Sequence, residues 1–330
     1  MSGYGSGVET VVNYRYESDF TYGTYIWSDF TAGYDMTDKT FAGDIAISNL
    51  SVRRNLEKLY QYDQRYLWKA VPKQFEGMAS FEFTLSNPWW LLGLFGDEYV
   101  TSATSNTVTR EFRISNQAQS MSMKIGLRLL DADKIVEIHG CVITSATISS
   151  AVNELVKVRL DVLFKKMKTP YVGTFTGTDR VFDPYVFQHG SLEIPDGTDA
   201  GTVQRFELTI NNNTVMQYGL GNQYAVRPIQ KAFDITGRLT IAMTDTSYLT
   251  KVIGTNPTDA TYSLLFSNGE TGYALKSIEF KGTDVWYDEH TPTISKNEPI
   301  VEDLPLVFGQ IKAETKDHYQ TDTWILDDVI

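Results

Sequence analysis

The chain has 330 residues, of which 42% are hydrophobic and 21% are charged, which predicts two folded domains and excludes a wholly disordered chain. The formal net charge of −12 argues against a surface that grips nucleic-acid phosphates. The single cysteine, Cys141, cannot form an internal disulfide, and we expect it to be buried and inert.

At the N-terminus, the residues MSGYGSGV lack the basic-then-apolar order of a secretory signal, so no export is predicted. The densest apolar segment, 88–95, is far too short to cross a bilayer. We therefore expect a protein that has no membrane partner.

An internal repeat organises the rest of the sequence. A segment of the first half aligns with a segment of the second half at a constant shift of 158 residues, and residue classes are preserved along it. The alignment resumes further on at a shift of 142 and then at 144. The aligned segments are 50–96 with 208–254, 134–140 with 276–282, and 154–164 with 298–308. This self-similarity predicts two tandem copies of one domain.

The two copies differ in length. Because 158 − 142 = 16, the first copy carries about sixteen extra residues, and a run rich in Ser, Thr and Asn follows Gly96 at that place. We interpret this extra segment, about 97–118, as a long polar loop. The stretch 168–178, which contains Pro and Gly, then separates the two predicted domains, 1–170 and 171–330.

Apolar side chains in the repeated segments recur at every second position, which is typical of strands with one face on a core. The inward set begins at Phe75 in the first copy and at Phe233 in the second. The segment 156–164 alternates in the same way. Each copy is therefore predicted to be mainly β.

A short helix is predicted directly after the long strand of each copy. In the first copy Asn87 is the expected N-cap, Pro88 suits the first helical position, and Gly96 can close the helix in a left-handed conformation. The equivalent helix of the second copy ends at Gly254. The predicted fold class is mainly β, with two tandem β-sandwich or barrel domains that each carry a short packed helix.

The sequence offers no convincing catalytic or metal-binding pattern. The histidines occur in unlike contexts and form neither an HxH nor an HExxH pair. The acidic residues of 284–289 lack the alternate oxygens and central Gly of a calcium loop. We expect no enzymatic activity, no cofactor and no metal ion. The four histidines, each interpreted as structural or surface residues, are His139, His189, His290 and His318.

Several segments resemble the tail tube proteins of long-tailed, siphovirus-like bacterial and archaeal viruses. The similar segments of the second copy are PYVFQHGSL at 184–192, FELTINNN at 206–213 and KAFD at 231–234. The first copy matches more loosely, through ISNLSV at 47–52 and KQFE at 73–76. Together the resemblance covers about two thirds of the chain.

The resemblance implies a fold and an assembly. In that family a β-sandwich with a flanking helix contributes strands to a ring barrel, six domains surround a channel, and stacked rings form a tube that conducts double-stranded DNA. A tandem chain would then form a trimer with pseudo-sixfold symmetry, since 3 × 2 = 6. The implied location is the virion tail, assembled in the host cytoplasm. The implied partners are other copies of the chain, the tail terminator, the tape-measure protein and distal tail proteins.

The resemblance also points to a lumen and to inter-ring contacts. A channel that passes DNA non-specifically should repel phosphate, so outward acidic residues are candidates for lining it. The segment 97–118, the N-terminal arm and the acidic tail 324–330 are candidates for contacting the adjacent ring, with an ordinary surface loop as the alternative for 97–118. The candidate lumen-lining residues are Glu76, Glu82, Glu207, Asp234 and Asp303.

Two other functions stay open on the sequence. One is the inner-tube protein of a contractile injection system, which shares the fold. The other is a two-domain β-sandwich that binds a receptor or carbohydrate, for which Tyr22, Tyr25 and Trp27 would form a sugar-stacking platform.

Overall fold

The structure of the protein is a computed structural model. It describes the chain as a set of residue ranges with gaps between them. These are 11–17, 39–40, 45–61, 67–103, 107–116, 119–128, 133–173, 184–194, 198–199, 203–242, 258–269, 276–288, 291–293 and 300–318.

The first half of the chain is built from strands and one short helix, α1 (Leu91–Phe95). The strands are β1 (Val11–Tyr16), β2 (Lys39–Thr40), β3 (Ala46–Tyr60), β4 (Leu67–Thr84), β5 (Gly96–Ala103), β6 (Thr107–Ile114), β7 (Met121–Arg128), β8 (Asp133–Ala151), β9 (Lys157–Phe164), β10 (Lys166–Met167) and β11 (Tyr171–Val172).

The second half contains a 3-10 turn at Phe187–His189 and further strands. They are β12 (Gly190–Ile194), β13 (Thr198–Asp199), β14 (Val203–Asn211), β15 (Val215–Tyr218), β16 (Ala225–Ile229), β17 (Asp234–Ala242), β18 (Thr258–Ser267), β19 (Ser277–Tyr287), β20 (Thr291–Thr293) and β21 (Val301–His318). The predicted mainly β fold is confirmed.

Two groups of six strands have the same order of pairing. In the first half the antiparallel order is β1–β7–β8–β9–β4–β3, which we call the first strand set. In the second half it is β12–β18–β19–β21–β17–β14, which we call the second strand set. The two sets thus place strands of corresponding sequence position at corresponding places in the sheet.

The pairing registers of the two sets also correspond. In the first set Leu50 lies opposite Ala79, and in the second set Leu208 lies opposite Gly237, at a shift of 158 for both partners. Since a register slip of one residue would turn every side chain to the other face, this agreement is specific. A second pair of equivalent contacts shows the same agreement at shifts of 158 and 144. It is Phe81 opposite Leu160 and Leu239 opposite Leu304.

The two sets are joined edge to edge. Residues 145–149 of β8 pair with β9 on one side, and residues 145–151 pair with β14 on the other. Residues 301–303 of β21 likewise lie between β17 and β20. One antiparallel sheet therefore runs in the order β3–β4–β9–β8–β14–β17–β21–β20, and we call it the joint sheet.

The core lies against one face of the joint sheet. Alternate side chains such as Phe81, Leu160, Leu208 and Leu304 are fully or almost fully buried there. The long strands β8 and β21 continue out of the joint sheet into a second layer, where they pair with β7 and β19. The arrangement is sandwich-like, and the predicted inward alternation from Phe75 is confirmed.

Helix α1 covers part of this core. Trp90, Leu91 and Leu94 are fully buried, and the Trp90 ring packs edge-on against Phe83 with the ring centroids 6.1 Å apart. Gly96 closes the helix with a φ of 87°, as predicted.

The predicted N-cap of this helix is wrong. The helix begins later, after Trp90, without a side-chain cap. The carbonyl of Asn87 instead accepts the Trp90 indole N–H at 3.0 Å, and the Pro88 carbonyl accepts the Leu91 N–H at 2.9 Å. A turn therefore precedes the helix, which is one turn shorter than predicted. The predicted second helix at 245–254 lies outside the described residues.

The predicted loop at 97–118 is also wrong, because most of it forms the hairpin β5–β6. Strand β6 pairs further with residues 312–318 of β21. Phe112 is buried by this pairing, and the β-branched Thr and Val residues at 107–109 suit a strand. Long-range pairing with β21 converts a polar segment into part of the sheet.

Candidate functional site

The buried polar groups near His139 form a structural network. Ser122 donates a hydrogen bond to Glu17 Oε1 at 2.9 Å, and the Ser122 Oγ lies 3.1 Å from His139 Nδ1. In a nucleophilic triad the acid orients the histidine, whereas here the serine lies between them. Burial lowers the pKa of His139, although the charges of Glu137 and Glu17 oppose that shift. The network fastens the end of β1 to β7 and β8.

Cys141 and the histidines are the other reactive side chains that the sequence offers. Cys141 is fully buried, and burial raises the pKa of its thiol, as expected for an inert cysteine. No group of three or more metal-ligating side chains occurs in the described parts of the chain. His189 is exposed, and His290 lies outside the described residues. Within the described residues, no helix is long and apolar enough to span a membrane.

The five candidate lumen residues share one face of the joint sheet. Directly paired residues of an antiparallel sheet point to the same side, and alternate residues along a strand do so as well. A chain of paired positions links the strands, through Glu82–Arg159, Arg159–Thr147, Thr147–Thr209 and Thr209–Thr236. By alternation Glu76, Glu207 and Asp234 lie on this face, as does Asp303, which is paired with Thr240. We call it the charged face.

The charged face carries arginines as well as acids. Arg238 lies opposite Glu207 and contacts Asp303 at 2.9 Å, and Arg53 lies opposite Glu76. Leaving aside the β3–β4 hairpin beyond Arg53 and Glu76, the paired segments of this face carry five bases and six acids, a sum of −1. They are Arg53, Lys157, Arg159, Arg205 and Arg238, with Glu76, Glu82, Asp161, Glu207, Asp234 and Asp303. The face is almost neutral rather than acidic.

Ion pairs fix part of this charge pattern. Arg159 lies 3.8 Å from Asp161, and Arg205 lies 3.5 Å from Glu207. Burial of the Asp303 carboxyl acts to raise its pKa, but hydrogen bonds from Thr240 and Arg238 outweigh it, so the pKa is lowered. Analysis of the sequence missed these arginines. Their signal was present, because a base and an acid two residues apart on a strand share a face.

The junction between the two strand sets begins with a backbone ladder. Seven residues of β14, from Arg205 to Asn211, pair with Ser145 to Ala151 of β8. On the charged face the hydroxyl oxygens of Thr147 and Thr209 are 3.2 Å apart. A continuous hydrogen-bonded sheet therefore connects the sets across their edges.

Asn212 locks this junction just beyond the end of β14. Its fully buried side-chain amide donates to the Leu94 carbonyl at 3.0 Å and to the Ile143 carbonyl at 3.1 Å. Its backbone N–H donates to the Thr144 carbonyl at 2.7 Å. The side chain thus ties the second set to helix α1 and to β8. Nothing in the local sequence distinguishes it from the asparagines on either side.

The hairpin β15–β16 completes the junction by packing against Phe75. The Tyr218 hydroxyl donates to the Phe75 carbonyl at 2.7 Å, and the Phe75 N–H donates to the Gln223 carbonyl at 2.8 Å. The Tyr224 ring lies 5.4 Å from the Phe75 ring, between centroids. We call this set of contacts the aromatic clasp.

Each end of the joint sheet has an unfilled edge among the described residues. Strand β3 pairs there only with β4, and β20 only with β21. Along β3 and the start of β4, large apolar side chains are exposed. They are Val52, Leu56, Tyr60, Leu67 and Trp68. Exposed edges with apolar side chains are typical of surfaces that join other chains.

The remaining candidate contact segments are only partly described. The hairpin β5–β6 is held to β21 by the partly exposed Lys312, which donates to the buried Glu111 carboxylate at 2.7 Å. The N-terminal arm, the tail 324–330 and the aromatic residues Tyr22, Tyr25 and Trp27 lie outside the described residues. A role of 97–118 between rings stays a prediction.

The family model described as phage tail tube protein matches residues 65–307, which include most of the charged face and the whole junction. No curated protein matches the chain.

Proposed function

The chain belongs to the phage tail tube protein family, and from this membership we propose that three chains form a pseudo-hexameric ring and that such rings stack into the tail tube. The protein is thus a structural component of the virion tail. The finer proposal concerns how many chains make a ring, which strands join them and what passes through the centre.

The observation that carries the proposal is the junction between the strand sets. Two groups of strands with the same order and register meet edge to edge through β8 and β14. We propose that they are two copies of one domain, 1–170 and 171–330, which occupy neighbouring positions in the ring. Three chains then supply 3 × 2 = 6 positions and, with eight strands of the joint sheet each, 3 × 8 = 24 barrel strands. Closing the barrel removes every exposed edge.

The charged face is the proposed lumen surface. Lysines and arginines that neutralise phosphates release counterions and bind DNA firmly. Here Arg238 is paired with Asp303, and Arg205 with Glu207, so few free cations face the channel. Double-stranded DNA would pass without being held. The five predicted acids would then act less by making the lumen acidic than by neutralising these arginines.

The other partners follow from the tube as an assembly. We propose that the ends of the stack meet the tail terminator and distal tail proteins, and that the tape-measure protein occupies the channel before DNA does. The hairpin β5–β6 and the N-terminal arm are the proposed inter-ring contacts. Assembly would take place in the host cytoplasm, and no catalytic step is required.

Electron microscopy of the purified full-length chain tests this proposal. We expect hollow tubes or three-membered rings, with a mass per ring of three chains of 37.3 kDa. Dispersed monomers at high protein concentration would contradict the proposed assembly.

A further inference from the structure

Equivalent positions in the two strand sets differ in burial. Ile210 is 0% exposed in the second set, whereas Val52, its equivalent at a shift of 158, is 46% exposed. Ala225 is 2% exposed, whereas its equivalent Leu67 is 49% exposed. The second set is covered at these positions because it docks on the first set of the same chain. In the first set Val52 lines a cavity together with β15, and both Val52 and Leu67 stay about half exposed.

The second strand set of the same chain cannot cover these residues. Strand β3 lies at one end of the joint sheet and β20 lies at the other, with six strands between them. Strand β3 occupies the same place in the first strand set as β14 does in the second. Strand β20 occupies the same place in the second strand set as the end of β8 that pairs with β14 does in the first. A contact that repeats the junction between two chains joins different surfaces of those chains, head to tail. Contacts of this kind close into a ring when the rotation between neighbouring chains allows it.

We propose that the β3–β4 hairpin of one chain docks on the second strand set of a neighbouring chain with the geometry of the junction. This inference rests on the proposed ring and names the residues that join its chains. Its occupant is a second copy of the chain, because the second strand set has the strand order and register that the hairpin needs and its β20 edge is unfilled among the described residues, whereas β8 of the first set already pairs with β14.

The sequence shifts give the register of the contact. At the junction Thr209 lies opposite Thr147. Thr209 corresponds to Ser51 at a shift of 158. Thr147 corresponds to Thr291 at a shift of 144. The pairing supports this correspondence, because Thr147 lies opposite Arg159 and Thr291 lies opposite Asp303, the residue equivalent to Arg159 at the same shift. Ser51 of one chain therefore lies opposite Thr291 of the next.

The aromatic clasp has an equivalent as well. Tyr218 donates to the Phe75 carbonyl within the chain, and the corresponding residues are Tyr60 and Phe233. Tyr60 is exposed in the single chain. The Tyr60 hydroxyl of one chain therefore donates to the Phe233 carbonyl of its neighbour, and this bond exists only in the assembly.

Disulfide trapping tests the register directly. The double variant Ser51→Cys/Thr291→Cys, oxidised after assembly, should give covalent dimers and closed trimers on a non-reducing gel. Mixing the two single variants should give dimers alone. The matched control Thr147→Cys/Thr209→Cys places the equivalent pair within one chain, so it should close without any increase in mass. Native Cys141 is fully buried and does not compete.

Two further variants separate register from folding. Arg53→Cys/Thr291→Cys, displaced by two residues along β3, should cross-link at least tenfold less, because disulfides need Cβ atoms about 3.5–4.5 Å apart. Tyr60→Phe should raise the concentration needed for assembly about fivefold, the effect of losing one hydrogen bond, with the unfolding of the dilute monomer unchanged.

The outcomes distinguish this inference from the proposed function. Suppose that rings form and Thr147→Cys/Thr209→Cys closes, but Ser51→Cys/Thr291→Cys stays uncrosslinked. This result would overturn the inference and leave the proposed tube intact. Normal assembly of Tyr60→Phe would also count against it. Failure of the wild-type chain to assemble at all would overturn both.

Discussion

Replacing Asn212 with Ala tests whether one side chain locks the two strand sets together. The fully buried amide donates to the Leu94 and Ile143 carbonyls at 3.0 and 3.1 Å. A buried hydrogen bond contributes about 1 kcal/mol, and a carbonyl left without its donor adds a desolvation cost. With two bonds lost, we expect the free energy of unfolding to fall by about 2–3 kcal/mol.

Urea denaturation of the dilute, unassembled protein measures this change. The matched control is Asn222→Ala, which replaces an exposed asparagine between β15 and β16. It should change the free energy of unfolding by less than about 0.5 kcal/mol. If Asn212→Ala proves as stable as Asn222→Ala, the amide does not hold the junction, and the reasoning from its two contacts is refuted.

Three more substitutions test the packing, the charged face and the β6–β21 pairing. Gly77→Ala would place a Cβ 2.2 Å from the Phe164 ring, so it should lower the free energy of unfolding in urea by about 1–3 kcal/mol. Asp303→Asn removes a carboxyl whose pKa is lowered in the folded state. In urea titrations at several pH values, the wild-type advantage should be complete above about pH 5 and lost as the pH falls below about 4. Lys312→Met removes one of the two cations that contact the buried Glu111 carboxylate, the other being Arg113, and should cost about 1–3 kcal/mol in the same assay.

Each of these expectations has an outcome that contradicts it. Wild-type stability of Gly77→Ala would mean that the strand can shift away from the ring. A pH-independent difference for Asp303→Asn would remove the argument from its lowered pKa. For Lys312→Met the control is Lys73→Met, whose partner Glu57 is half-exposed, so that pair should contribute little. Equal effects of the two lysine variants would contradict the role of burial.

The period-two pattern predicted the parts of the fold that local sequence determines. Alternation along 75–85 and 156–164 identified the buried faces of β4 and β9, because one face of each strand must meet the core. The constant shift between the repeated segments anticipated equal registers in β3–β4 and β14–β17. The position of Gly96 at the helix end was also correct.

Features that depend on contacts between distant segments were not predicted. The polar segment after Gly96 becomes strand because β21 pairs with it from about 200 residues away. Asn212 contacts the Leu94 carbonyl, which is 118 residues away in the sequence, and no local sequence pattern predicts that contact. The N-cap prediction at Asn87 failed because the Trp90 indole uses its carbonyl in a preceding turn.

The charge of the candidate lumen illustrates a different limit. Alternation correctly assigned Glu76, Glu207 and Asp303 to outward positions, but it weighed only the acids. Arg205 lies two residues from Glu207 on the same strand, but Arg238 and Arg53 meet their acids from neighbouring strands, so the full balance becomes visible only when the strands are paired. Analysis of the charge of a sheet face therefore requires its strand order as well as its sequence.

End-on views of the assembled protein test the central claim most directly. Averaged cross-sections from cryo-electron microscopy should show a hollow ring of six similar lobes with exact threefold symmetry, three chains per ring. Six chains per ring, or a cross-section without a central channel, would contradict the account.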